Sequence, residues 1–379
     1  MKRVLFITTV SGTIRRFLLP FANHFRAKGW QVDAMSHGIS DCPECTEAFN
    51  QVWDVSWTRN PFDLQTLFKA PQTIRETVSR EKYDLIHVHT PIASFITRYS
   101  LRRVSEKIKP KVVYTAHGFH FYSGGNPLKN FLFSSLEGAA GKWTDYLVVI
   151  NQEDKAAAQK HRIVPNSRIR FMPGIGVDNH FYNNARVDPK NGEEIRRQLG
   201  MRSADSLFLM VAEFNPGKRH RDALHAFARL GRQDAHLAFA GNGPLKSRME
   251  DLAGRLNIKG RTHFLGFRED IPALMQASCA VLLPSQREGL PRSVMEALCL
   301  ERPCIGSDSR GTRDLLTDDC GILTSVGDVP AMARAMGWML DHRDEAMAMG
   351  RNGRLRMENF DIEIILRMHE ELYGEALGI

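Results

Sequence analysis

The stretch CAVLLPSQREGLPRSVMEALC, residues 279–299, runs from an apolar segment through a Gly-Leu-Pro turn into an amphipathic segment. A short, continuous apolar run is typical of a parallel strand buried on both faces, and the amphipathic pattern after it is typical of a helix. Pairs of this kind recur along the whole chain. This alternation predicts an α/β protein with doubly wound parallel sheets.

The alternation falls into two series that meet in a stretch rich in Gly, Pro and Asn, residues 172–192, which is typical of a linker. The predicted strands are 3–8, 31–37, 84–90, 111–117, 145–151 and 169–174 in the first series, and 206–214, 235–243, 261–267, 279–285, 303–309 and 321–325 in the second. We therefore predict two Rossmann-like domains, residues 1–180 and 181–360, facing a central cleft. A C-terminal helix over residues 361–379 is expected to pack back on the first domain.

The 379 residues, of which 43% are hydrophobic, are sufficient for two buried cores. No segment approaches the roughly 20 consecutive apolar residues that a membrane-spanning helix needs. The N-terminus, MKRVLFITTVSG, has an apolar run too short for a secretion signal and fits a first strand that ends at a Gly turn. We therefore expect a cytoplasmic protein.

The net charge of +8 is concentrated in the first half of the chain. Residues 1–185 contain 24 Lys and Arg against 15 Asp and Glu, whereas the remaining residues contain 27 against 28. This excess indicates an anionic partner for the first domain, such as phosphate, an acidic lipid headgroup or nucleic acid. A solvated basic surface that serves solubility is the alternative.

The six cysteines are scattered, which fits reduced thiols rather than a disulfide framework. Cys42 and Cys45 form a Cys-x-x-Cys pair, but a structural zinc site requires four ligands and His37 is the one further candidate nearby. We expect a structural or incidental role for the pair, with a redox or metal role as the alternative. No cluster of metal ligands stands out in the sequence, and we predict no metal site.

The turn inside the opening stretch lies where doubly wound sheets bind ligands, beyond the carboxyl end of a strand. Pro291 suits the first turn of the following helix, because its missing N–H would have no partner there. The backbone N–H groups of Gly289 and Leu290 would then face outward near the helix N-terminus, where a phosphate or a sugar hydroxyl can bind. Glycine also lets a ligand approach the backbone closely.

Two acids flank this turn, Glu288 on the loop and Glu296 within the helix. An acid that accepts hydrogen bonds from ribose hydroxyls is a known feature of nucleotide sites in Rossmann folds. We therefore predict that Glu288 contacts a donor sugar and that Glu296 contacts a nucleotide ribose. The alternative is a loop acid and an exposed helix acid without a special role.

The motif EGLPRSVMEA, residues 288–297, resembles the signature of the family-4 retaining glycosyltransferases, in which seven residues separate two glutamates. AGNGPLKSRME, FLGFREDIPALMQASCAVLLPS and RPCIGSDSRGTRDLL resemble further family segments in the same order. The resemblance covers nearly the whole chain and is strongest over residues 206–325. It implies the GT-B fold, an acceptor-binding first domain, a second domain that binds a nucleotide-sugar donor, and retention of configuration without a metal or other cofactor.

The segment VAEFNPGKRH, residues 211–220, is similar to the family segment that holds the donor diphosphate. The resemblance implies that Lys218 stabilises the leaving diphosphate, whereas Glu213 stands where the family has Arg, a variant similar to capsule and exopolysaccharide enzymes. Arg219 is either a second cation for the diphosphate or a surface base. The predicted catalytic residues are His117, Lys218 and Glu288, and the predicted donor-binding residues are Glu213, Arg219, Gly241, Gly243, Arg268, Gly289, Leu290 and Glu296.

In the first domain, His117 stands where family members commonly carry a His near the donor sugar, and a neutral imidazole suits a hydrogen bond to a sugar hydroxyl. Gly118 follows it where the family often has Asp. His87 and His89 are expected to serve local packing. The predicted acceptor-binding residues are Gly12 in the loop after the first strand, Arg15 and Arg16 on the first helix, and Phe119.

The stretch GFHFYSGGNPLKNFLFSSLE, residues 118–137, combines aromatic residues with Lys129, and Phe62 and Phe68 lie near Lys69. Aromatic and basic side chains together suit contact with an acidic bilayer surface, and packing into the core is the alternative. By resemblance, we expect a UDP-sugar donor and a saccharide acceptor linked to polyprenyl diphosphate, in bacterial surface polysaccharide synthesis. The protein would then be peripheral on the inner face of the plasma membrane.

Three other activities are weighed against this one. A nucleotide-sugar 2-epimerase on the same fold, which needs no acceptor, and a transferase with a soluble small-molecule acceptor both remain alternatives. A glycosidase that uses Glu288 and Glu296 would leave the diphosphate-type motifs unexplained. No Gly-x-Gly-x-x-Gly follows the first strand and the basic half has no recognisable nucleic-acid motif, so we expect no nucleic-acid partner.

Overall fold

A computed structural model of the chain describes residues 1–57, 68–102, 104, 109–317 and 319–379. The chain forms two compact units. The first unit contains Met1–Ile175 together with Ile362–Ile379, and the second contains Gly176–Asp361.

The first unit is a parallel sheet covered by helices. Its strands are β1 (Arg3–Val10), β2 (Gln31–His37), β3 (Gln51–Asp54), β4 (Leu85–His89), β5 (Lys111–Ala116), β6 (Tyr146–Val149) and β7 (Ile169–Phe171), in the order β3-β2-β1-β4-β5-β6-β7. Its helices are α1 (Ser11–Phe17), α2 (Leu19–Ala27), α3 (Pro43–Ala48), α4 (Ala70–Glu81), α5 (Pro91–Leu101), α6 (Pro127–Gly141), α7 (Gln152–Lys160) and α16 (Ile362–Leu377). Both faces of β1 are buried, because Val4 and Phe6 belong to one hydrophobic cluster and Leu5 to another.

The C-terminal helix α16 is part of the core of the first unit. The ring of Tyr373 is fully buried and stacks on Phe25 of α2, with 4.9 Å between ring centroids. At the surface, Lys28 Nζ and Glu370 Oε1 form an ion pair at 2.7 Å. Apolar burial therefore holds this helix against α2.

The second unit repeats the same plan. Its strands are β8 (Ser206–Val211), β9 (Ala235–Ala240), β10 (Thr262–Gly266), β11 (Ala280–Leu283), β12 (Cys304–Ser307) and β13 (Gly321–Thr324), in the order β10-β9-β8-β11-β12-β13. Its helices are α8 (Pro189–Gln198), α9 (His220–Leu230), α10 (Lys246–Arg255), α11 (Ile271–Ala277), α12 (Arg292–Cys299), α13 (Arg310–Leu315), α14 (Val329–Asp341) and α15 (Arg343–Met357). The strands β8, β9 and β11 are almost wholly buried, as expected for a sheet covered on both faces.

Each sheet contains one point at which the strand order reverses. In the first unit, β1 lies between β2 and β4, and in the second, β8 lies between β9 and β11. The loops at the carboxyl ends of the two strands at such a point diverge, and the crevice between them is the usual ligand site in doubly wound folds. In the second unit, this crevice lies beyond the carboxyl ends of β8 and β11.

The predicted fold class is confirmed, because each of the twelve predicted strands is present within a few residues. The prediction omitted β3, a four-residue edge strand whose sequence, QVWD, has no continuous apolar run. The prediction that Gly12 lies in a loop is wrong, since α1 begins at Ser11 directly after β1. The prediction of six reduced cysteines is also wrong, since Cys42 and Cys45 are joined as a disulfide across the start of α3.

Candidate functional site

The loops after β8 and β11 meet through a partly buried ion pair. Lys218 Nζ lies 2.6 Å from Glu288 Oε1, and the two side chains are 28% and 11% exposed. The backbone of the loops is joined as well, because Gln286 N donates to Gly217 O at 2.8 Å. These contacts bring two of the three predicted catalytic side chains together at the reversal point of the sheet.

A short helical turn sets the position of Lys218. Asn215 caps the turn Pro216–Lys218, and its side-chain oxygen accepts a hydrogen bond from Lys218 N at 3.2 Å. The side-chain nitrogen of Asn215, Nδ2, donates a hydrogen bond to Glu213 Oε2 at 3.2 Å. Glu213, where the family has Arg, is thus an exposed acid that helps to orient the capping residue.

The loop that carries Glu288 is packed tightly against α13. Arg310, which is 4% exposed, donates from Nε to the backbone oxygen of Glu288 at 2.9 Å. A Cβ atom on Gly311 would lie 1.8 Å from Gly289 O, so only glycine fits at this position. Arg310 and Gly311 were not predicted, although both stand in the segment RPCIGSDSRGTRDLL that carries part of the family resemblance. Leu290 is partly buried against the core of the unit.

Glu296 on α12 faces the protein interior. The alternative interpretation of Glu296 as an exposed helix acid is therefore wrong. It is 9% exposed, and Arg292 Nε donates to its Oε1 at 2.9 Å. Burial raises the pKa of Glu296, while Arg292 and a hydrogen bond with Tyr182 oppose that shift. Burial, followed by the charge of Glu296, raises the pKa of the Tyr182 hydroxyl. Neither Arg292 nor Tyr182 was predicted. The pair of Arg292 with Glu296 has the i, i+4 spacing of a helix and could have been found from the sequence. The contact with Tyr182 depends on tertiary packing.

Gly241 and Gly243 are required by local geometry. Their φ angles are +148° and +150°, which favour glycine. An added Cβ would lie 2.1 Å from Ala212 O at Gly241 and 2.6 Å from Phe214 N at Gly243. This turn therefore supports the backbone on either side of Glu213, and a contact with a donor stays a prediction.

Two predicted donor-site arginines are each paired with a carboxylate nearby in sequence. Arg268 donates from Nε to Asp270 Oδ1 at 2.7 Å. Arg219 has a left-handed backbone conformation, with φ +55°, and its Nε donates to Asp222. Their guanidinium groups are therefore held by these acids, and a contact with diphosphate stays a prediction.

In the first unit, His117 is joined to the carboxyl end of β4. His89 Nδ1 and His117 Nε2 are 2.9 Å apart, and their rings stack with centroids 5.2 Å apart. Burial lowers the pKa of His117 to about 4, so its imidazole is neutral near pH 7. His87 and His89 are buried, as predicted, and His87 Nδ1 lies 2.5 Å from the hydroxyl oxygen of Tyr373 on α16.

The predicted acceptor-binding residues have different surroundings. A Cβ on Gly12 would have nothing within 4 Å, and Arg16 is exposed. Arg15 Nη1 lies 3.5 Å from Glu44 Oε1, and both side chains are about half exposed. Phe119 is 2% exposed and stacks on Phe121 with centroids 4.7 Å apart. The side chain of Phe119 is thus a core residue, and its burial does not fit direct contact with an acceptor.

Helix α6 exposes an apolar stripe to solvent. Leu128, Phe131, Leu132 and Leu136 are 77%, 71%, 53% and 39% exposed, and their spacing places them along one side of the helix. We call these four residues the α6 surface. The exposed Lys129 lies on the same helix, whereas Phe62 lies outside the described residues.

Within the described residues, no helix is both long enough and apolar enough to cross a bilayer. No group of three or more His, Cys, Asp or Glu side chains in the same part of the chain is arranged to hold a metal ion.

The chain is similar to known proteins over both units. Residues 191–356 match the family described as glycosyl transferases group 1, and residues 14–178 match the one described as glycosyltransferase family 4. EpsD of Bacillus subtilis (strain 168), which bears a glycosyltransferase name, is 32% identical over 357 residues, covering 93% of this chain and 91% of that protein. The UDP-Gal:alpha-D-GlcNAc-diphosphoundecaprenol alpha-1,3-galactosyltransferase of Escherichia coli is 28% identical over 281 residues, covering 73% of this chain and 71% of that protein. The crystal structure of HepE from Anabaena in complex with UDP and glucose superposes with a TM-score of 0.82 at 18% identity, covering 99% of this chain and 100% of that one.

Proposed function

The chain belongs to glycosyltransferase family 4 and has the GT-B fold, and from this premise we propose a specific transfer reaction. The enzyme transfers a sugar from a UDP-sugar to a saccharide acceptor carried on polyprenyl diphosphate, with retention of anomeric configuration. The reaction belongs to the synthesis of a bacterial surface polysaccharide. It takes place at the inner face of the plasma membrane.

The observation that carries this proposal is the meeting of Lys218 and Glu288 beyond the carboxyl ends of β8 and β11, with 2.6 Å between Nζ and Oε1. Negative charge develops on the leaving diphosphate during transfer, and a fixed ammonium stabilises it. The Glu288 carboxylate accepts hydrogen bonds from hydroxyls of the donor sugar. Glu296 accepts them from the ribose, since its buried carboxylate is already oriented by Arg292.

The choice of nucleotide and acceptor is supported by the similar proteins. The name of the Escherichia coli relative specifies UDP-Gal and a diphosphoundecaprenol-linked sugar, and the HepE structure contains UDP. The name of EpsD is consistent with a glycosyltransferase but specifies no substrate. We therefore assign uridine as the base and a lipid diphosphate as the carrier.

The transfer needs no covalent intermediate with the enzyme. The bond between the sugar and the diphosphate oxygen breaks, and the acceptor oxygen forms the new bond from the same face of the sugar. The acceptor proton passes to the leaving diphosphate. We propose that Lys218 and the backbone N–H groups of Gly289 and Leu290 stabilise that leaving group without a divalent cation. His117, neutral near pH 7, forms a hydrogen bond with a sugar hydroxyl.

The first unit binds the acceptor and the membrane surface. It contains 25 Lys and Arg against 18 Asp and Glu, and the exposed Lys129 lies beside the apolar α6 surface. Exposed apolar side chains next to basic ones suit the interface of an acidic bilayer. Arg15 and Arg16 bind the anionic diphosphate of the acceptor.

The test of the function is a transfer assay with purified protein. UDP-sugars are incubated with and without a polyprenyl-diphosphate-linked saccharide, in EDTA and in Mg²⁺, and the linkage is assigned by NMR. We expect an α-linked product from an α-linked donor, formed equally in EDTA. Conversion of the UDP-sugar without any acceptor would identify an isomerase instead, and an inverted product would contradict retention.

A further inference from the structure

The second unit contains a cavity of about 530 Å³ at the amino-terminal edge of its sheet. It is lined by Ser206 at the start of β8, Cys279 just before β11 and Pro303 just before β12. Because all strands of this sheet are parallel, this edge is opposite the one that carries Lys218 and Glu288. The volume is within the range of sites for small molecules. We call this cavity the edge pocket.

Three arginines from different elements line the edge pocket: Arg196 of α8, Arg302 between α12 and β12, and Arg343 at the start of α15. None of them has a carboxylate within 4 Å among residues 1–57, 68–102, 104, 109–317 and 319–379. Arg196 donates instead to backbone oxygens, with Asp205 O at 2.6 Å. Arg343 Nη2 donates to Ser206 Oγ at 3.3 Å, so within the described residues Arg302 and Arg343 make fewer hydrogen bonds than Arg196.

Arg302 is the least satisfied of these groups. Its Nε is buried without a hydrogen-bond partner, and Nη1 lies 3.5 Å from Ser278 O, at the limit of a hydrogen bond. Burial lowers the pKa of this guanidinium, and the charge of Glu301 opposes that shift without an ion pair at contact distance. A desolvated charge that is not directly paired costs free energy, which an anion bound beside it would offset.

The position of the Arg302 backbone is determined by the C-terminal end of α12. Arg302 N donates to Ala297 O at 2.9 Å and Glu301 N donates to Leu298 O at 3.0 Å, a pair of bonds that closes α12. Glu301 has φ +55°, a left-handed conformation that glycine usually supplies. These backbone contacts determine the position of the Arg302 backbone at the amino-terminal edge of the sheet.

Besides the arginines, the edge pocket is lined by hydrogen-bond acceptors and by apolar side chains. Gln276 Oε1 is buried without a partner, and Glu193 and Glu301 also face the cavity without an ion pair to any described residue. Leu207 and Met339 supply apolar surface. Carboxylate and amide oxygens accept hydrogen bonds from hydroxyls, so this lining suits a ligand that carries hydroxyl groups as well as an anion.

We propose that the edge pocket binds a small phosphorylated polyol of the sugar phosphate class. Arg302 and Arg343 bind the phosphate, because the planar guanidinium group donates two parallel hydrogen bonds to phosphate oxygens. Gln276 and Glu301 accept hydrogen bonds from the hydroxyl groups of the ligand. This site is separate from the proposed donor site and does not depend on the identity of the transferred sugar.

The test is isothermal titration calorimetry on the full chain saturated with UDP. Glucose 6-phosphate, inorganic phosphate and glucose are each titrated into this protein. We expect glucose 6-phosphate to bind more tightly than either of the others. Arg302→Gln and Arg343→Gln should each weaken this binding by roughly tenfold or more, because each removes charge-assisted hydrogen bonds. Arg255→Gln, which makes the same charge change on the exposed surface of α10, should leave it unchanged.

Several results would overturn the proposal. These are the absence of binding by glucose 6-phosphate, equal affinity for inorganic phosphate, or an equal loss in Arg255→Gln. Loss of binding in Lys218→Ala would place the ligand in the donor site instead, and so would binding to the UDP-free chain that is absent from the UDP-saturated chain. If Arg302→Gln does not fold, Arg302→Lys is the second variant. It preserves the charge but removes the planar guanidinium group, and it should still weaken the binding of glucose 6-phosphate.

Discussion

Lys218 and Glu288 form an ion pair although 70 residues separate them, with Nζ and Oε1 2.6 Å apart. The pair joins the loops after β8 and β11, the two strands at which the order of the second sheet reverses. An ammonium whose position is determined by a carboxylate and by the Asn215 cap is preorganised for a developing negative charge.

The first prediction concerns this ammonium. Lys218→Ala should lower kcat by roughly 10² to 10³-fold, because removal of a preorganised charge at a transition state has effects of that size. Lys259→Ala, an exposed lysine of the same unit, should change kcat little. The measurement is steady-state transfer with a UDP-sugar. A Lys218→Ala enzyme with the wild-type kcat would exclude this role.

The second prediction concerns the ribose contact of Glu296. UDP at about a hundred times its dissociation constant should stabilise the wild-type fold by ~2.7 kcal/mol, which a thermal shift detects. Glu296→Gln keeps the size of the side chain but removes its charge, so the stabilisation by UDP should be largely lost. GDP, ADP and NAD serve as ligand controls, and Glu250→Gln on α10, whose side chain is 43% exposed, serves as the matched variant. An unchanged response in Glu296→Gln would show that the ribose binds elsewhere.

The third prediction tests the packing of α13 against the loop of Glu288. Gly311→Ala places a Cβ 1.8 Å from Gly289 O, so the loop must move. We expect the free energy of unfolding to fall by about 1–3 kcal/mol, with a loss of UDP affinity. Gly254→Ala in α10 meets nothing within 4 Å and should instead stabilise the fold by up to about 1 kcal/mol. Urea unfolding and UDP titration measure both, and intact UDP affinity in Gly311→Ala would contradict the argument.

The fourth prediction concerns pH. Burial lowers the pKa of His117 and of His369 to about 4, and it lowers the pKa of His87 and His89 well below the ordinary value. The unfolded chain therefore binds more protons than the folded one between about pH 6.5 and pH 4. The stabilisation is complete above about pH 6.5 and is lost as the pH falls, by up to about 1.4 kcal/mol per pH unit for each histidine.

This pH dependence is measured by urea unfolding between pH 7.5 and pH 5.2, above the range in which most carboxylates titrate. His117→Asn removes one of these groups and should make the slope shallower. His37→Asn, at an exposed histidine of the same unit, serves as the matched control variant. A stability that does not change over this range would mean that these imidazoles are not desolvated.

The fifth prediction concerns the α6 surface. Leu128→Ser combined with Phe131→Ser should reduce binding to acidic vesicles by about a hundredfold, because two exposed apolar side chains no longer enter the interface. The fold should be unaffected, since both side chains are exposed. Leu355→Ser removes an equally apolar and 62% exposed residue from the second unit and serves as the control. Binding that is lost equally in Leu355→Ser, or that is equal for neutral vesicles, would argue against this surface.

The aromatic stretch shows why part of the site could not be predicted. Phe119 and Phe131 stand in the same stretch, residues 118–137, yet Phe119 is 2% exposed and Phe131 is 71% exposed. The difference arises because Phe119 lies in the loop after β5 and stacks on Phe121, whereas Phe131 lies on the outer side of α6. Local composition does not contain this information.

The sequence by itself determined the two doubly wound sheets and the positions of twelve strands, because these depend on local periodicity. The Gly-Leu-Pro turn indicated the segment of Glu288 and Glu296, and the resemblance to the glycosyltransferase family indicated the segment of Lys218. Only the tertiary structure decided which side chains meet: Lys218 with Glu288, Tyr182 with Glu296, and Gly311 with the backbone of Gly289. Such contacts join residues that are distant in the chain. Their distances follow from how helices pack on the sheet, and a pattern with a period of two or 3.6 residues does not specify them.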